Sequence, residues 1–243
     1  MCTVTIVPLA EGFRLACNRD ERLVRPCAFP PRVHVKAGRR CIWPIDPIGG
    51  GTWIGANDAG LAMVLLNRYL RASAPSNGAG VTRGSIVPTV LDHASMDAAM
   101  QYATSLDETL FAPFQLVIVS KAMVGVVTSD GRRITVARSC LERPLLYTSS
   151  SLGDRRVEGP RRRLFEQLVV GRRHALLRGQ ARFHAHQWTD SPELSVLMSR
   201  PDAATVSRTV INVTNGRVDL AYEDLDAARS IDLRIARWEF GLR

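Results

Sequence analysis

The chain has 243 residues, of which 46% are hydrophobic and 23% charged, and its formal net charge is +9. This composition suits one large or two small globular domains and excludes a disordered, collagen-like or coiled-coil chain. Only two of the 32 basic residues are lysines, and arginine is the side chain that best binds carboxylates and phosphates. The net positive charge is therefore compatible with an anionic ligand. It does not indicate specific nucleic-acid binding, because the basic residues are dispersed and carry no DNA- or RNA-binding signature.

No apolar run reaches the roughly 18 residues that are needed to cross a bilayer, and the first residues lack the pattern of a signal peptide. The five cysteines are irregularly spaced and form no CxxC pair, which indicates neither a disulfide framework nor a structural zinc site. We therefore expect a cytoplasmic protein in a reducing compartment, without a membrane span.

The first seventy residues predict two hairpins. Apolar and polar residues alternate over 2–8 and 13–17 on either side of Glu11-Gly12, which is typical of a hairpin. The apolar runs 52–55 and 61–67 flank a turn rich in Asn, Asp and Gly and predict a second one. Between them, the five prolines of residues 22–48 predict a long and partly irregular segment.

The rest of the chain predicts helices and further strands. Ser, Gly and Pro over 73–80 predict a loop, and apolar residues at helical spacing predict helices over 83–93, 96–103 and 158–170. Strands are predicted where short apolar runs are bounded by turn residues, at 114–120, 122–128, 133–138, 145–148, 206–213 and 218–222. Because no repeat or compositional break divides the chain, the pattern predicts a single α+β domain over residues 1–243.

Cys2 is the most informative position in the sequence. Removal of Met1 would make Cys2 the N-terminal residue, with an α-amine whose pKa lies near ~8 and a thiol whose pKa lies near ~8.5. The amine could then take the thiol proton, so one residue would supply both nucleophile and base. A cysteine at position 2 can equally be an ordinary residue, so this hypothesis depends on what surrounds it.

Polar residues near the ends of the predicted strands give Cys2 a context. Asn18-Arg19-Asp20-Glu21 closes the first hairpin, where a buried Arg would stabilise a thiolate and a carboxylate would orient an ammonium group. The same four residues could also form a solvated turn. Asn67 ends an apolar strand, where its amide could donate to an oxyanion. Trp53, after the glycines of 49–51 that permit close backbone approach, could line a pocket or simply pack in the core.

Four motifs together resemble those of a known family: Met1-Cys2-Thr3, Asn18-Arg19-Asp20-Glu21, Gly50-Gly51-Thr52-Trp53-Ile54-Gly55 and Leu66-Asn67. The sequence resembles the NRDE family, the transport and Golgi organisation 2-like proteins, most strongly over residues 1–70. That family is similar to the N-terminal nucleophile hydrolases of the choloylglycine hydrolase and penicillin V acylase type. The resemblance implies an αββα sandwich, with two antiparallel sheets between helical layers, and an amide-cleaving enzyme without a metal or organic cofactor.

The resemblance also implies catalytic roles for individual residues. Cys2 would be the nucleophile and its freed amine the base, and Asn67 would be the oxyanion donor. Arg19 and Asp20 would form the polar pair beside the thiol. Which residue of 18–21 plays each part stays open, because the related hydrolases carry these residue types in a different order.

Further residues follow from the same resemblance. Arg161, in a segment after Gly153-Asp154, would be the catalytic arginine. Asn18, Trp53 and Ser149 are expected to contact the substrate. Ser149 departs from the asparagine that the related hydrolases tend to have there, which puts efficient amide cleavage in doubt.

Two functions are compatible with these residues. The first is an N-terminal cysteine amidohydrolase that cleaves a non-peptide amide of a small molecule through a thioester. The second is a non-catalytic binding or trafficking protein for lipid, acyl-coenzyme A or haem-like ligands on the same scaffold, in which the thiol need not be reactive. A homo-oligomer fits either one.

Other polar clusters favour structural interpretations. His184 and His186 would share one face of a strand, but no third ligand has a telling spacing, so we expect a surface or hydrogen-bonded pair and no metal site. The arginines at 161–163 and 172–173 are typical of a solvated helix face.

Overall fold

The structure is a computed structural model that describes residues 2–36, 38–69, 80–171, 175–226 and 229–236. Within these ranges the strands form two sheets, and every strand pair is antiparallel. The order of the first sheet is β10 (Leu145–Ser149), β1 (Cys2–Leu9), β2 (Gly12–Arg22), β11 (Ala203–Thr214), β12 (Arg217–Asp224) and β13 (Arg229–Ala236). The order of the second sheet is β3 (Phe29–Lys36), β4 (Arg39–Ile45), β5 (Ile54–Asn57), β6 (Ala62–Asn67), β7 (Phe114–Val119), β8 (Met123–Ser129) and β9 (Ile134–Cys140).

Helices cover the outer face of each sheet. The second sheet carries α1 (Ile86–Val90) and α2 (Met96–Thr104), and the first carries α3 (Asp154–Phe165) and α4 (Leu176–His184). Successive strand residues point to opposite faces, so Val64 packs between the sheets while Met63 faces α1 and α2. Three apolar layers result, one between the sheets and one under each helical layer. The predicted αββα sandwich is confirmed.

Both predicted hairpins and most later elements are confirmed. In the first hairpin, β1 pairs with β2, and in the second, β5 pairs with β6. The strands predicted between 114 and 148 correspond to β7 to β10, and those predicted after 205 correspond to β11 and β12. The helix predicted over 83–93 is shorter, because only Ile86–Val90 is α-helical after a single 3-10 turn at Arg83–Ser85.

The segment 22–48 is partly irregular, as predicted, at 23–28 and 46–48, and it also contains β3 and β4, which were not predicted individually. The prolines are tolerated because β3 is an edge strand and its pairing with β4 is irregular between Phe29 and Arg32. Pro44 lies beyond the two residues at which β4 pairs with β5. Pro30 and Pro31 therefore lie at an edge and a bulge, whereas Pro26 and Pro47 lie in the irregular parts of the segment.

Other differences concern the helices on the first sheet and the end of the chain. The helix predicted from residue 158 already begins at Asp154, and its last turn, Glu166–Val170, is a π-helix. Neither α4 nor β13 was predicted. The predicted loop over 73–80 lies outside the described residues except for Gly80. The single domain over residues 1–243 includes undescribed segments and stays a prediction.

None of the helices in the described ranges has both the length and the apolar character that a membrane-spanning helix needs.

Candidate active site

Three neighbouring strands fix the position of Cys2. It is the first residue of β1 and lies opposite Arg19 on β2 and opposite Ser149 on β10. Its side chain is only 4% exposed, and its main-chain nitrogen donates a hydrogen bond to Ser149 Oγ at 3.3 Å. Both the sulfur and the nitrogen that the predicted chemistry requires are therefore held in place by the sheet.

Cys2 lines a polar cavity of about 200 Å³ at one end of the sandwich. The cavity is also lined by Arg19 and Glu21 from β2, Trp53 and Asn67 from the second sheet, and Arg83 from the segment that precedes α1. The structure thus brings together Cys2, Arg19, Trp53 and Asn67, four residues that the sequence predicted for the site. Met1 lies outside the described residues, so its removal stays a prediction.

The thiol of Cys2 has a neighbour that promotes its ionisation. Hydrogen bonding with the Cys17 thiol lowers the pKa of Cys2, and the charge of Arg19 acts in the same direction, while burial opposes them. The same hydrogen bond and burial raise the pKa of Cys17 well above its usual value. Cys2 is therefore the member of the pair that ionises first. Cys17 was not predicted as a site residue, although alternation along the hairpin places it on the same face as Cys2.

Arg19 is fixed between an acidic and an aromatic side chain. Its Nη2 donates to Glu21 Oε2 at 3.0 Å, and its guanidinium lies 4.3 Å from the ring centroid of Trp53. Residues 19 and 21 face the same side of β2 because strand side chains alternate. The cation is thus held at the wall of the cavity that contains the sulfur.

Asn67 lies where the cavity meets a second, larger one. It is the last residue of β6, and its Nδ2 donates to Tyr69 Oη at 3.4 Å. Asn67 also lines a cavity of about 760 Å³ together with Tyr147 and Ser149. An amide donor therefore borders both spaces, which suits the predicted oxyanion donor.

Asn18 and Asp20 face the opposite side of the sheet from Arg19. Asn18 Nδ2 donates to the carbonyl oxygens of His184 and Val196, both at 2.9 Å. Asp20 is 2% exposed and accepts a 2.6 Å hydrogen bond from Thr205 Oγ1. Burial raises the pKa of Asp20, against the charge of Arg161. The predicted pair of Arg19 and Asp20 is thus divided between two faces, and Asn18 lies in the helical layer behind the cavity.

Arg161 also lies in this helical layer behind the cavity, which we call the rear layer. It is 1% exposed, and its guanidinium ties α3 to the first sheet and to a neighbouring loop. The acceptors are Thr3 Oγ1 at 2.7 Å, Thr148 Oγ1 at 2.9 Å, Leu194 O at 3.0 Å and Ser195 O at 2.7 Å. The expectation of a solvated face at 161–163 was wrong for Arg161. Its partner Thr3 is the residue that follows Cys2 on β1. The expectation was right for Arg162 and Arg163, which are exposed. Residues 172–173 lie outside the described ranges.

His184 completes the rear layer as the last residue of α4 rather than on a strand. Its Nε2 lies 2.7 Å from Thr5 Oγ1 and its Nδ1 lies 2.9 Å from Asn18 Oδ1. Burial lowers the pKa of His184 to about 3. The ring of His186 packs edge-on against Trp188 instead. Among the described residues, no three His, Cys, Asp or Glu side chains form a metal-binding group.

The family model for transport and Golgi organisation 2 matches residues 1–170 of this chain. The chain belongs to the transport and Golgi organisation 2 family. This confirms the resemblance carried by the motifs around Cys2, Asn18 to Glu21, Trp53 and Asn67. A sequence search of curated proteins found no match.

Solved structures of N-terminal nucleophile hydrolases share the fold of this chain. Penicillin V acylase from Agrobacterium tumefaciens superimposes with a TM-score of 0.56 and 15% identity, over 97% of this chain and 86% of that one. The N-acylethanolamine-hydrolyzing acid amidase orthologue of Caenorhabditis elegans gives 0.56 and 14%, over 86% and 92%. A variant of conjugated bile acid hydrolase from Clostridium perfringens gives 0.57 and 10%, over 97% and 92%. At these identities the similarity shows the fold alone.

Proposed function

We propose that this protein is an N-terminal cysteine amidohydrolase that cleaves the C–N amide bond of a small molecule through a thioester. The observation that carries the proposal is the position of Cys2, whose sulfur lines a polar cavity and whose nitrogen is held by Ser149 Oγ. The activities of three similarly folded proteins, an acylase of penicillin V, an amidase of N-acylethanolamines and a hydrolase of conjugated bile acids, support the reaction class.

Activation requires the loss of Met1, which leaves Cys2 with a free α-amine. The nitrogen would stay beside Ser149 Oγ, at the 3.3 Å that now separates the two atoms. This amine takes the proton of Sγ and generates a thiolate, which Arg19 and the Cys17 thiol stabilise. Nucleophile and base thus occupy one rigid strand end.

Acylation begins when the thiolate attacks the carbonyl carbon of the amide. The S–C bond forms as the carbonyl π electrons move to oxygen, and Asn67 Nδ2 donates to that oxyanion. Collapse of the intermediate breaks the C–N bond, and the ammonium of Cys2 gives its proton to the leaving amine. The products of this stage are a free amine and a thioester on Cys2.

Deacylation repeats the sequence with water. The free amine of Cys2 takes a proton from the attacking water, whose oxygen adds to the thioester carbon. Breakage of the S–C bond releases the carboxylic acid and restores the thiol. The two cavities can accommodate different parts of one substrate, because Asn67 borders both the 200 Å³ cavity and the 760 Å³ cavity.

The test is the intact mass of the natively purified protein, with and without an activated ester such as p-nitrophenyl acetate. We expect a mass that lacks Met1 and a gain of one acetyl group on Cys2. Iodoacetamide at pH 7 should label Cys2 ahead of the exposed Cys27 and Cys140 and the buried Cys17 and Cys41.

Two variants make this test specific. Cys2→Ala should abolish acylation, whereas Cys27→Ala, which removes an exposed thiol outside the cavity, should leave it unchanged. A protein that keeps Met1, or a Cys2 that reacts no faster than Cys140, would refute the proposal. The non-catalytic binding protein would then be the better interpretation of the scaffold.

A further inference from the structure

The charged side chains around Cys2 do not cancel each other. Two carboxylates line the cavity, and each already pairs with an arginine: Glu21 with Arg19 at 3.0 Å and Asp46 with Arg25 at 2.5 Å. Arg83 is the third arginine in the lining. Within the described part of the chain it has no carboxylate oxygen within ion-pair distance. Among the described residues that line the cavity, Arg83 is therefore the cation without a carboxylate partner.

Arg83 is held in place without being neutralised. Its Nη1 donates to Pro113 O at 2.9 Å, which leaves most of the five guanidinium donors for other partners. Its main chain is also fixed, because Gly84 O accepts a hydrogen bond from Thr52 N at 2.9 Å. The close contact of Gly51 with Gly84, where an added Cβ would lie 2.2 Å from Gly84 O, requires glycine at position 51. The guanidinium is thus preorganised at the cavity wall.

A partly buried cation without a counter-ion is unfavourable. Burial lowers the pKa of Arg83 because the charged form loses solvent, yet arginine stays protonated in proteins. An anion in the cavity would remove this cost and gain charge-assisted, bidentate hydrogen bonds.

Trp53 adds a second unused donor. It lines the same cavity, and its Nε1 is buried with no hydrogen-bond partner among the described residues. Indole nitrogen only donates, and a buried donor left unpaired is unfavourable. Trp53 Nε1 is itself buried, so Arg83 is the group of this wall that can meet an oxygen acceptor in the cavity.

We propose that Arg83 is the anion anchor of this site, so that the substrate is an amide with a carboxylate, sulfonate or phosphate group near the scissile carbonyl. Arg83 binds that group while the carbonyl carbon lies at Cys2 Sγ. This inference rests on the proposed function and names the chemical class of its substrate.

The experiment compares two alkylating agents that differ in charge. Iodoacetate and iodoacetamide react identically with a thiolate: the S–C bond forms, the C–I bond breaks and iodide leaves. The readout is the ratio of their second-order rate constants at Cys2, measured by peptide mass. We expect Arg83→Gln to lower the iodoacetate-to-iodoacetamide ratio by about tenfold or more, since a hydrogen bond to a charged group contributes about 1.5–3 kcal/mol.

Three further variants separate an anchor from a merely structural residue. Arg143→Gln, which removes an exposed arginine outside the cavity, should keep the wild-type ratio. Arg83→Lys should restore part of it, because the charge remains while the bidentate geometry is lost. Trp53→Phe, which keeps a ring beside Arg19 but loses the N–H, should lower the ratio less than Arg83→Gln.

The outcomes distinguish this inference from the proposed function. If iodoacetamide labels Cys2 rapidly and the ratio is the same in wild type, Arg83→Gln and Arg143→Gln, the anion anchor is wrong and the nucleophile stands. If Cys2 resists both reagents, the proposed function itself fails. Arg83→Gln should also change the melting temperature only slightly, because removal of an unpaired, partly buried cation offsets the lost hydrogen bond to Pro113 O; a large loss of stability would show that Arg83 is structural.

Discussion

Lowering the pH should destabilise this protein through His184. Burial lowers the pKa of His184 to about 3, whereas the same group has a pKa near 6.5 in an unfolded chain. Between these values the unfolded chain binds a proton that the native protein does not, so the free energy of unfolding falls as pH falls. The contribution is complete above pH 6.5. From pH 6.5 to 4.5 this one histidine should remove about 2 kcal/mol, from about 1.4 kcal/mol for each pKa unit.

The hydrogen bonds around the ring explain why it stays neutral. Asn18 Nδ2 donates to two carbonyl oxygens, so Asn18 Oδ1 must face the ring and accept a hydrogen bond from Nδ1–H. Gln180 Nε2 donates to Thr5 Oγ1 at 2.9 Å, which leaves the Thr5 hydroxyl proton for Nε2 of His184. A second ring proton would meet the Thr5 hydroxyl proton rather than a free acceptor. Protonation therefore breaks a satisfied buried network.

The assay is urea unfolding at pH 6.5, 5.5 and 4.5 for wild type, His184→Gln and His186→Gln. The carboxylates contribute to the pH dependence of all three proteins. The informative quantity is therefore the difference between the proteins in how steeply the free energy of unfolding changes with pH. We expect His184→Gln to lose about 2 kcal/mol of pH dependence, and His186→Gln, on a residue outside the network, to keep it. Nuclear magnetic resonance of the histidine Cε1–H groups gives a direct check. A His184 signal that titrates near pH 6.5, or equal slopes in all three proteins, would refute the reasoning.

Two matched pairs of substitutions and one single substitution test other parts of the structure. Arg161→Met should cost about 3–5 kcal/mol of unfolding free energy in urea, because it leaves buried acceptors unpaired; Arg162→Met, on the exposed side of the same helix, should stay within about 0.5 kcal/mol, and equal losses would contradict the buried role. Gly179→Ala should lower the melting temperature, since its Cβ would lie 2.1 Å from Leu168 O, whereas Gly159→Ala, whose Cβ would meet no atom beyond its chain neighbours closer than 3.7 Å, should change it much less. Ser149→Ala should slow acylation of Cys2 by p-nitrophenyl acetate about tenfold while changing stability by only about 1 kcal/mol, and an unchanged rate would show that Ser149 Oγ does not position the nitrogen.

The sequence predicted the parts of the site that depend on local structure. Alternation and a turn specified the first hairpin, and antiparallel pairing then set Arg19 beside Cys2. The same alternation separates Arg19 from Asp20, because neighbouring strand residues face opposite sides of a sheet. That division was available from the sequence, but the family resemblance grouped the two residues by motif rather than by face.

Contacts between distant parts of the chain could not be predicted from local patterns. Arg161 follows the spacing of a solvated helix face, and only the packing of α3 against β1 shows that Thr3 and Thr148 are its partners. Likewise, Arg83 lies in an ordinary polar stretch, and only the fold brings it to the Cys2 cavity. Hydrophobic periodicity describes which face of a helix is buried on average, and a buried arginine with full hydrogen bonding is the exception it cannot detect.

The residues on the two faces of the first sheet have different roles. On the inner face, Cys2 and Arg19 line the cavity and can meet a substrate. On the outer face, Asn18 donates to His184 O of α4 and Asp20 accepts from Thr205 of β11, while Arg161 of α3 packs onto this face and donates to Thr3 of β1. These buried contacts hold the strands that carry the inner residues. Residues that share one family motif should therefore respond differently to substitution. Loss of Arg161 should reduce stability and activity together through the strands that it ties to α3, whereas loss of Arg19 should also act on Cys2 directly, by removing a charge that lowers the pKa of the thiol, in addition to the stability lost with the Glu21 ion pair and the Trp53 contact.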